Sequence, residues 1–326
     1  MAIAIDIIQD SIKETKGIFF PIKKEFWLKI GFVSILHNKK SFNLNYTSPN
    51  IRDFTRFINF IKTHIKLILP VSTGIFLIGI LFSIISYTFN FIFLESLFSR
   101  KVLIKDYFKK FLRKGLSLFW LNFIIGSISL VLLVILALPL LIPLVKNWNN
   151  LSWAQFNIPY LIFFAVIFIL DLILFGLIGF VINNFVVIDM YTRDTGSFDS
   201  FKKMLKLVKA EHFESFIYLL MRIVIAIATA IISIIVFIAM LIVFLLIAAI
   251  IAAVFYLLYL LFAPLKLFLI IFGVTLAIIL FLALLYLSAV ILSPIEGFYY
   301  LYAYKFFNEL KKRNKNLFKH KIFQNG

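Results

Sequence analysis

The sequence predicts an all-α integral membrane protein, and three observations predict it. Hydrophobic residues make up 63% of the 326 residues and charged residues only 15%, against about 45 to 50% and about 25% in soluble domains. Several apolar runs exceed the roughly 18 residues that mark a transmembrane helix. The strands of a membrane β-barrel alternate between apolar and polar residues, and these runs do not. We therefore expect a helical bundle of about five transmembrane segments with basic amphipathic interfacial helices.

Five apolar blocks are long enough to cross the roughly 30 Å hydrocarbon core at 1.5 Å per residue. The first block either crosses once, which we favour, or dips into the membrane and returns. The fourth block is too long for one helix, so that residues 246–264 form either a short interfacial helix or a further span. The blocks are Leu67 to Phe98, Leu116 to Val145, Ile158 to Met190, Phe216 to Ala263 and Leu265 to Tyr304.

The distribution of basic residues predicts the orientation. Residues 99–115 contain 7 Lys and Arg, residues 191–214 contain 5 and residues 305–326 contain 7, whereas residues 146–158 and 263–267 contain 1 each. Cationic connections stay in the cytoplasm. We expect two hairpins in a cell membrane, blocks two with three and four with five, and a cytoplasmic tail. Cysteines introduced at Asn149 and Lys311 should then react from opposite sides.

The first 66 residues are basic and interfacial in character, and precede a transmembrane domain at 67–304 and a tail at 305–326. The start MAIAIDIIQDSIKETKG lacks the cationic region and cleavage site of a signal peptide. Ala4, Ile5, Ile8 and Ile12 fall on one helical face, which predicts a helix in the membrane plane. Lysines among aromatic residues in IFFPIKKEFWLKIGFVSIL also favour the interface. The side of the membrane on which this region lies stays open.

The polar stretch FVVIDMYTRDTGSFDSFKKMLKL, residues 185–207, interrupts the apolar chain. We interpret TRDTGS as a turn in which Gly196 supplies backbone freedom. Ser197 or Asp199 then caps a helix. Its apolar face is formed by Phe198, Phe201, Leu205 and Val208, with lysines toward the other face. The alternative is a Mg²⁺ site formed by Asp189, Asp194 and Asp199, but a solvated elbow is the commoner meaning of such a loop.

Three stretches carry a resemblance to a known family. IDMYTRDTGSFDSFKKMLKL resembles part of the membrane domain found beside glycerophosphodiester phosphodiesterases. The order SRKVLIKDYFKKFLRKGLSLF, then that stretch, then SPIEGFYYLYAYKFF, resembles uncharacterised archaeal multi-pass membrane proteins related to that domain. The resemblance covers the C-terminal three quarters of the chain and implies architecture only, because the phosphodiesterase catalytic domain is absent.

No motif for catalysis or cofactor binding occurs in the sequence. The chain contains no cysteine, and its 4 histidines are scattered without the i, i+4 spacing of a helical zinc site. Glycine-rich phosphate loops and GxSxG elbows are missing. The formal charge of +18 fits anionic lipid headgroups, with no nucleic-acid-binding module beside it. The expected lipid contacts in the tail are Lys311, Lys312, Arg313 and Lys315.

Ionisable residues inside apolar blocks are costly and therefore candidates for function. Asp171 lies near the midplane of its block, where we expect it to face other helices and bond a polar side chain or stay protonated. Arg222 and Glu296 lie at similar depths in consecutive antiparallel blocks, which predicts an ion pair. Glu95 and Asp189 are its alternative partners.

Two classes of function remain open from the sequence. The first is a non-enzymatic, membrane-embedded scaffold or lipid-interacting factor. The second is a transporter or permease for a small solute or ion. A transporter should carry several ionisable residues at the midplane, and only Asp171 lies there, which favours the first class.

Overall fold

The computed structural model describes residues 3–37, 51–146, 158–261 and 266–318, and in these ranges every regular element is a helix. The all-α prediction is confirmed. A π-helical turn, Ile182–Val186, joins α5 to α6. The helices are α1 (Ile3–Phe19), α2 (Lys24–His37), α3 (Ile51–Ser99), α4 (Ile104–Lys146), α5 (Ile158–Val181), α6 (Val187–Arg193), α7 (Ser197–Ala210), α8 (His212–Leu261), α9 (Lys266–Arg313) and α10 (Lys315–Phe318).

Five helical stretches of the described chain are long and apolar enough to cross a membrane: 63–99, 104–142, 158–193, 212–261 and 267–313. The chain is therefore a multi-pass membrane protein by length and composition. The first block has no return turn, because α3 departs from helical geometry only at His64, before Leu67. The expectation that the fourth block is too long for one helix was wrong, since α8 is continuous over 50 residues.

The helices group into two compact units. Unit 1 comprises Met1–Asn38, Ile92–Lys109 and Leu205–Gly326, and unit 2 comprises Lys39–Phe91 and Lys110–Met204. The sequence-based divisions after residues 66 and 304 fall inside α3 and α9. The connections expected outside the membrane, around Asn149 and Pro264, lie outside the described residues.

In unit 1, α1 and α2 pack on the C-terminal half of α9. The hydroxyl of Tyr302 donates to the carbonyl oxygen of Ala4 at 2.9 Å. The N–H of Ile3 and the guanidinium of Arg313 both donate to the carboxylate of Glu214, at 3.1 Å and 3.2 Å. The start of the N-terminal helix and the C-terminal end of α9 therefore lie at the same end of unit 1.

The face of α1 that packs on the protein differs from the apolar face that the sequence predicts for membrane contact. Ala4 is buried, whereas Ile5 is 45% and Ile12 53% exposed. The packed face runs through Ala4, Ile7, Ser11 and Thr15. Both hydroxyls bond to carbonyls one turn back in the same helix, Ser11 to Ile7 at 2.8 Å and Thr15 to Ser11 at 2.7 Å, which satisfies them internally. Small side chains let the helix backbone approach its neighbours closely.

The same rotation occurs in α7. Met204 and Leu207 are buried with Ser200, whereas Phe198 and Leu205 are each 44% exposed. The apolar residues Phe198 and Leu205 that the sequence placed on one face are therefore not part of its packed face.

The polar stretch before α7 is a turn, as the sequence predicted, but a different residue makes it. Asp194 adopts the left-handed conformation with φ 57°, and no described glycine has a positive φ. Asp is among the few residues that tolerate this region. The hydroxyl of Ser197 donates to the carbonyl oxygen of Ser117 on α4 at 2.7 Å, so it fastens the start of α7 to another helix.

Candidate functional site

Glu296 of α9 lies in a polar cluster that α2 completes. The hydroxyl of Ser34 donates to its carboxylate, and Nδ1 of His37 lies 3.8 Å from the same oxygen. The imidazole ring of His37 stacks on Phe93 with the ring centres 4.7 Å apart, and the ring of Tyr300 lies 5.7 Å away. The contacts place a buried histidine beside a carboxylate, an arrangement that the sequence did not reveal because the partners are separated by more than 250 residues.

Arg222 does not form the ion pair that the sequence predicted. Its guanidinium carbon lies 3.4 Å from the ring centre of Tyr299, in a cation–π contact. The hydroxyl of that tyrosine is hydrogen-bonded to Thr229. Among the described residues no carboxylate lies within ion-pair distance of Arg222, whose Nη1 is buried without a hydrogen-bond partner. The aromatic face thus replaces Glu296 as the partner of the arginine.

The two alternative carboxylates also lie elsewhere. Asp189 is fully buried and receives two hydrogen bonds from Arg193, one turn further along α6. This fork geometry, two N–H groups on one carboxylate, is the strongest form of ion pair. Glu95 is half-buried on α3.

Asp171 has the environment that we expected. It is only 6% exposed, on a helix whose other residues are largely exposed. The hydroxyl of Ser129 on α4 donates to its Oδ2 at 2.8 Å, and its Oδ1 is buried without a hydrogen-bond partner in the described chain. The prediction that Asp171 faces another helix and bonds a polar side chain is confirmed.

Two of the four tail cations expected to contact lipid are engaged within the protein. Lys312 pairs with Glu309 at 2.6 Å and Arg313 with Glu214 at 3.2 Å. Lys311 lies 5.7 Å from the ring centre of Phe318, and Lys315 is exposed. The lipid contact of this tail stays a prediction, with Lys311 and Lys315 the cations that lack a carboxylate partner among the described residues.

The turn between α1 and α2 presents a second cationic surface. Lys23 and Lys24 are exposed, and neither forms an ion pair with a described residue. Next to them, Phe20 is 49% and Ile22 60% exposed. The indole N–H of Trp27 donates to the carbonyl oxygen of Phe19 at 2.9 Å, which closes the turn. Sequence analysis placed this segment at the interface but did not single out these residues.

One turn into α2, the same surface contains an exposed ion pair. Lys29 Nζ lies 2.6 Å from Glu25. The hydrogen bond from Lys29, reinforced by its charge, lowers the pKa of the Glu25 carboxyl below its ordinary value. The Glu25 carboxyl therefore stays ionised at neutral pH, and this face of α2 carries an exposed ion pair.

The carboxylates proposed as a Mg²⁺ site face different cations instead. Asp189 meets Arg193, and Asp194 lies 2.7 Å from the ammonium of Lys114. That hydrogen bond and charge hold the pKa of the Asp194 carboxyl below its ordinary value, and Lys110 and Arg113 lower it further. Across the described ranges, no group of three or more His, Asp or Glu residues is arranged to hold a metal ion.

Comparison with known families places the chain in one of them. Residues 2–316 match the model of a family of unknown function, DUF7544, and the protein belongs to that family. No curated protein and no solved structure matches the chain.

Proposed function

We propose that this membrane protein is a non-enzymatic scaffold or lipid-interacting factor that engages anionic headgroups through the turn between α1 and α2. The observation that carries the proposal is the pairing of exposed Lys23 and Lys24 with exposed Phe20 and Ile22. Lysines beside apolar side chains are typical of surfaces that insert into the interface of an anionic membrane. Each such cation contributes about 1 kcal/mol near the surface.

The tail is the secondary part of this proposal. Its cations Lys312 and Arg313 already have carboxylate partners, so a headgroup would compete with them. Lys23 and Lys24 have no such competitor among the described residues. The turn should therefore account for more of the preference for anionic lipid than Lys312 and Arg313 do.

Thermal unfolding of the full-length protein in detergent tests the proposal. Anionic phospholipid should raise Tm more than zwitterionic phospholipid with the same acyl chains, because a ligand of the native state stabilises it. Salt should weaken the difference. The double variant Lys23→Gln, Lys24→Gln should lose most of the anionic preference.

The matched control is Lys312→Gln, which removes a cation that is already paired. It should leave the anionic preference nearly unchanged. Equal stabilisation by both lipids in the wild-type protein would refute the proposal. An equal loss of the anionic preference in the two variants would show that the lipid contact does not lie at the turn.

A further inference from the structure

Two helices of unit 1 are much longer than a membrane is thick. α8 has 50 residues and α9 has 48, so each is about 70 Å long at 1.5 Å per residue. The hydrocarbon core is about 30 Å thick. Less than half of each helix can cross it at a small tilt, and the apolar composition does not show which part does.

The contacts of α2 fix its level along α9. The hydroxyl of Tyr286 donates to the carbonyl oxygen of Leu28 at 2.8 Å. Gly31 faces Val290 so closely that a Cβ would clash with it. Ser34 reaches Glu296. The residue numbers of the contacting pairs increase together along α2 and α9, so the two helices run in the same direction. The first turn of α2 therefore lies near Tyr286.

That first turn is strongly charged and exposed. Lys23, Lys24, Glu25 and Lys29 all face outward. Four such groups cannot lie in hydrocarbon, where each costs several kcal/mol. Trp27, in the same turn, and Tyr286 are the residue types that collect at membrane interfaces.

We propose that the α1–α2 turn, with Trp27 and Tyr286, rests in the lipid headgroup layer, so that the hydrocarbon boundary crosses α9 near Tyr286. This goes beyond the proposed lipid contact, because it assigns the membrane-crossing residues. The crossing part of α9 is then 267–285, a stretch without an ionisable residue between Lys266 and Tyr286. Its length, about 28 Å, matches the hydrocarbon thickness.

The register of α8 against α9 gives a second span of the same length. The rings of Phe255 and Phe272 stack at 5.7 Å, and Thr229 is bonded to Tyr299. This antiparallel register sets Leu241 opposite Tyr286. Residues 242–261 then cross, again about 30 Å and without an ionisable side chain apart from tyrosine.

Unit 2, taken by itself, shows a similar division. Asn183 is exposed and Asn122 is half-buried, its amide donating to the carbonyl oxygen of Leu118 at 2.9 Å. The contacts of Ser129 with Asp171 and of Phe111 with Tyr191 place the two asparagines within about one turn of the same level. A pair of asparagines thus marks one level of α4 and of the π-helical turn that follows α5.

This placement also changes the expected surroundings of the polar cluster around Glu296. Glu296 lies ten residues beyond Tyr286, about 15 Å along the helix. Together with Ser34 and His37 it belongs to a layer outside the hydrocarbon. This assignment replaces the sequence-based expectation that Glu296 and Arg222 lie inside membrane-crossing blocks.

Depth measurements on α9 test the proposal, and the absence of native cysteine makes single-cysteine spin labels straightforward. Suitable exposed sites are Ile278, Leu285 and Ile291, which are 55%, 40% and 43% exposed. The full-length protein is placed in neutral liposomes, and collision with oxygen is compared with collision with a polar relaxation agent. The ratio should be highest at Ile278, intermediate at Leu285 and several-fold lower at Ile291.

A ratio at Ile291 as high as at Ile278 would overturn the placement, because it would put the boundary near the end of α9. Quenching of Trp27 gives a second readout that leaves α9 unchanged. With Trp120, Trp148 and Trp153 replaced by Phe, lipids brominated near the headgroup should quench it more than lipids brominated at the chain end. The reverse order would also refute the proposal. Neutral lipid keeps both results independent of the preference for anionic headgroups.

Discussion

Buried charge is accommodated differently in the two units. In unit 2, Asp189 finds its counter-ion Arg193 one turn away on the same helix. In unit 1, Arg222 rests on the ring of Tyr299, and the carboxylate of Glu296 depends on Ser34 of the separate helix α2. A charge with a partner on its own helix is satisfied as soon as that helix forms. The carboxylate on α9 gains the hydrogen bond from Ser34 when α2 is docked.

The largest effect should come from breaking the direct pair. Asp189→Ala leaves the side chain of Arg193, which is 8% exposed, buried without its carboxylate. Removing one partner of a buried ion pair costs about 3–5 kcal/mol. Denaturant unfolding in detergent measures this loss. Asp194→Asn is the control, since this side chain is 85% exposed, exposed pairs contribute less than about 1 kcal/mol, and asparagine tolerates the left-handed conformation of this position. Similar losses in the two variants would show that the Asp189 pair is not desolvated.

Displacing α2 from α9 tests the arrangement in which Glu296 depends on a residue of another helix. Gly31→Ala would place a methyl group against Val290, and overpacking of this kind costs about 1–3 kcal/mol. Gly17→Ala is the matched control on α1, because no atom lies within 4 Å of its added Cβ and alanine favours a helix by up to about 1 kcal/mol. We expect opposite signs in thermal unfolding. If Gly31→Ala is also stabilising, α2 does not approach α9 as closely as the structure shows.

The cation–π contact should give a smaller coupling. A double-mutant cycle with Arg222→Met and Tyr299→Leu should report about 0.5–2 kcal/mol of interaction. Tyr299→Phe keeps the ring but removes the hydrogen bond to Thr229, and so separates the two contributions. The cycle of Arg222→Met with Glu296→Gln should be close to additive. Strong coupling in that second cycle would instead support the ion pair between Arg222 and Glu296 that the sequence predicted.

The helices of this protein could be located from its sequence, but the packed faces of the surface helices could not. Hydrophobic periodicity found both α1 and α7. The apolar faces that it predicted for these surface helices include Ile5 and Ile12 of α1 and Phe198 and Leu205 of α7, and all four are exposed. In water the large apolar face is the buried one. In a membrane protein lipid-like surroundings remove that preference, and small residues such as Ser11 and Ser200 give the closer helix contacts.

The partners of the buried charges were unequally predictable for a related reason. Asp171 could be placed because it is the one carboxylate near the midplane of its block and a facing helix carries a serine. The partner of Glu296 comes from α2, 262 residues away, and no spacing in the sequence connects the two. The shared contacts of Ile3 and Arg313 with Glu214 also bring the start of α1 and the end of α9 together, a relation that charge counting left open.

Asp171 offers a milder perturbation within unit 2. Asp171→Asn retains an oxygen that can accept the hydrogen bond from Ser129, so it should change the free energy of unfolding by less than about 1 kcal/mol. Asp171→Ala should cost more, because Ser129 would lose its acceptor and a cavity would form. The difference between the two variants, measured by denaturant unfolding in lipid bicelles, isolates the hydrogen bond. A loss in Asp171→Asn as large as that in Asp189→Ala would show that the negative charge itself is required.

The exposed pair of Asp194 and Lys114 should produce the smallest effect and a defined pH dependence. Lys114 lowers the pKa of the Asp194 carboxyl in the folded protein below the ordinary value of 3.8. The contribution of this group to stability is therefore present above pH 3.8 and is lost as pH falls through the lowered folded pKa. Solvent and salt screen the pair, since Asp194 is largely exposed. Tm of the wild-type protein should exceed that of Asp194→Asn above this window, and the difference should vanish at its acid end and shrink with salt. A difference that grows on acidification would contradict the assignment, because the ionised carboxylate would then be destabilising.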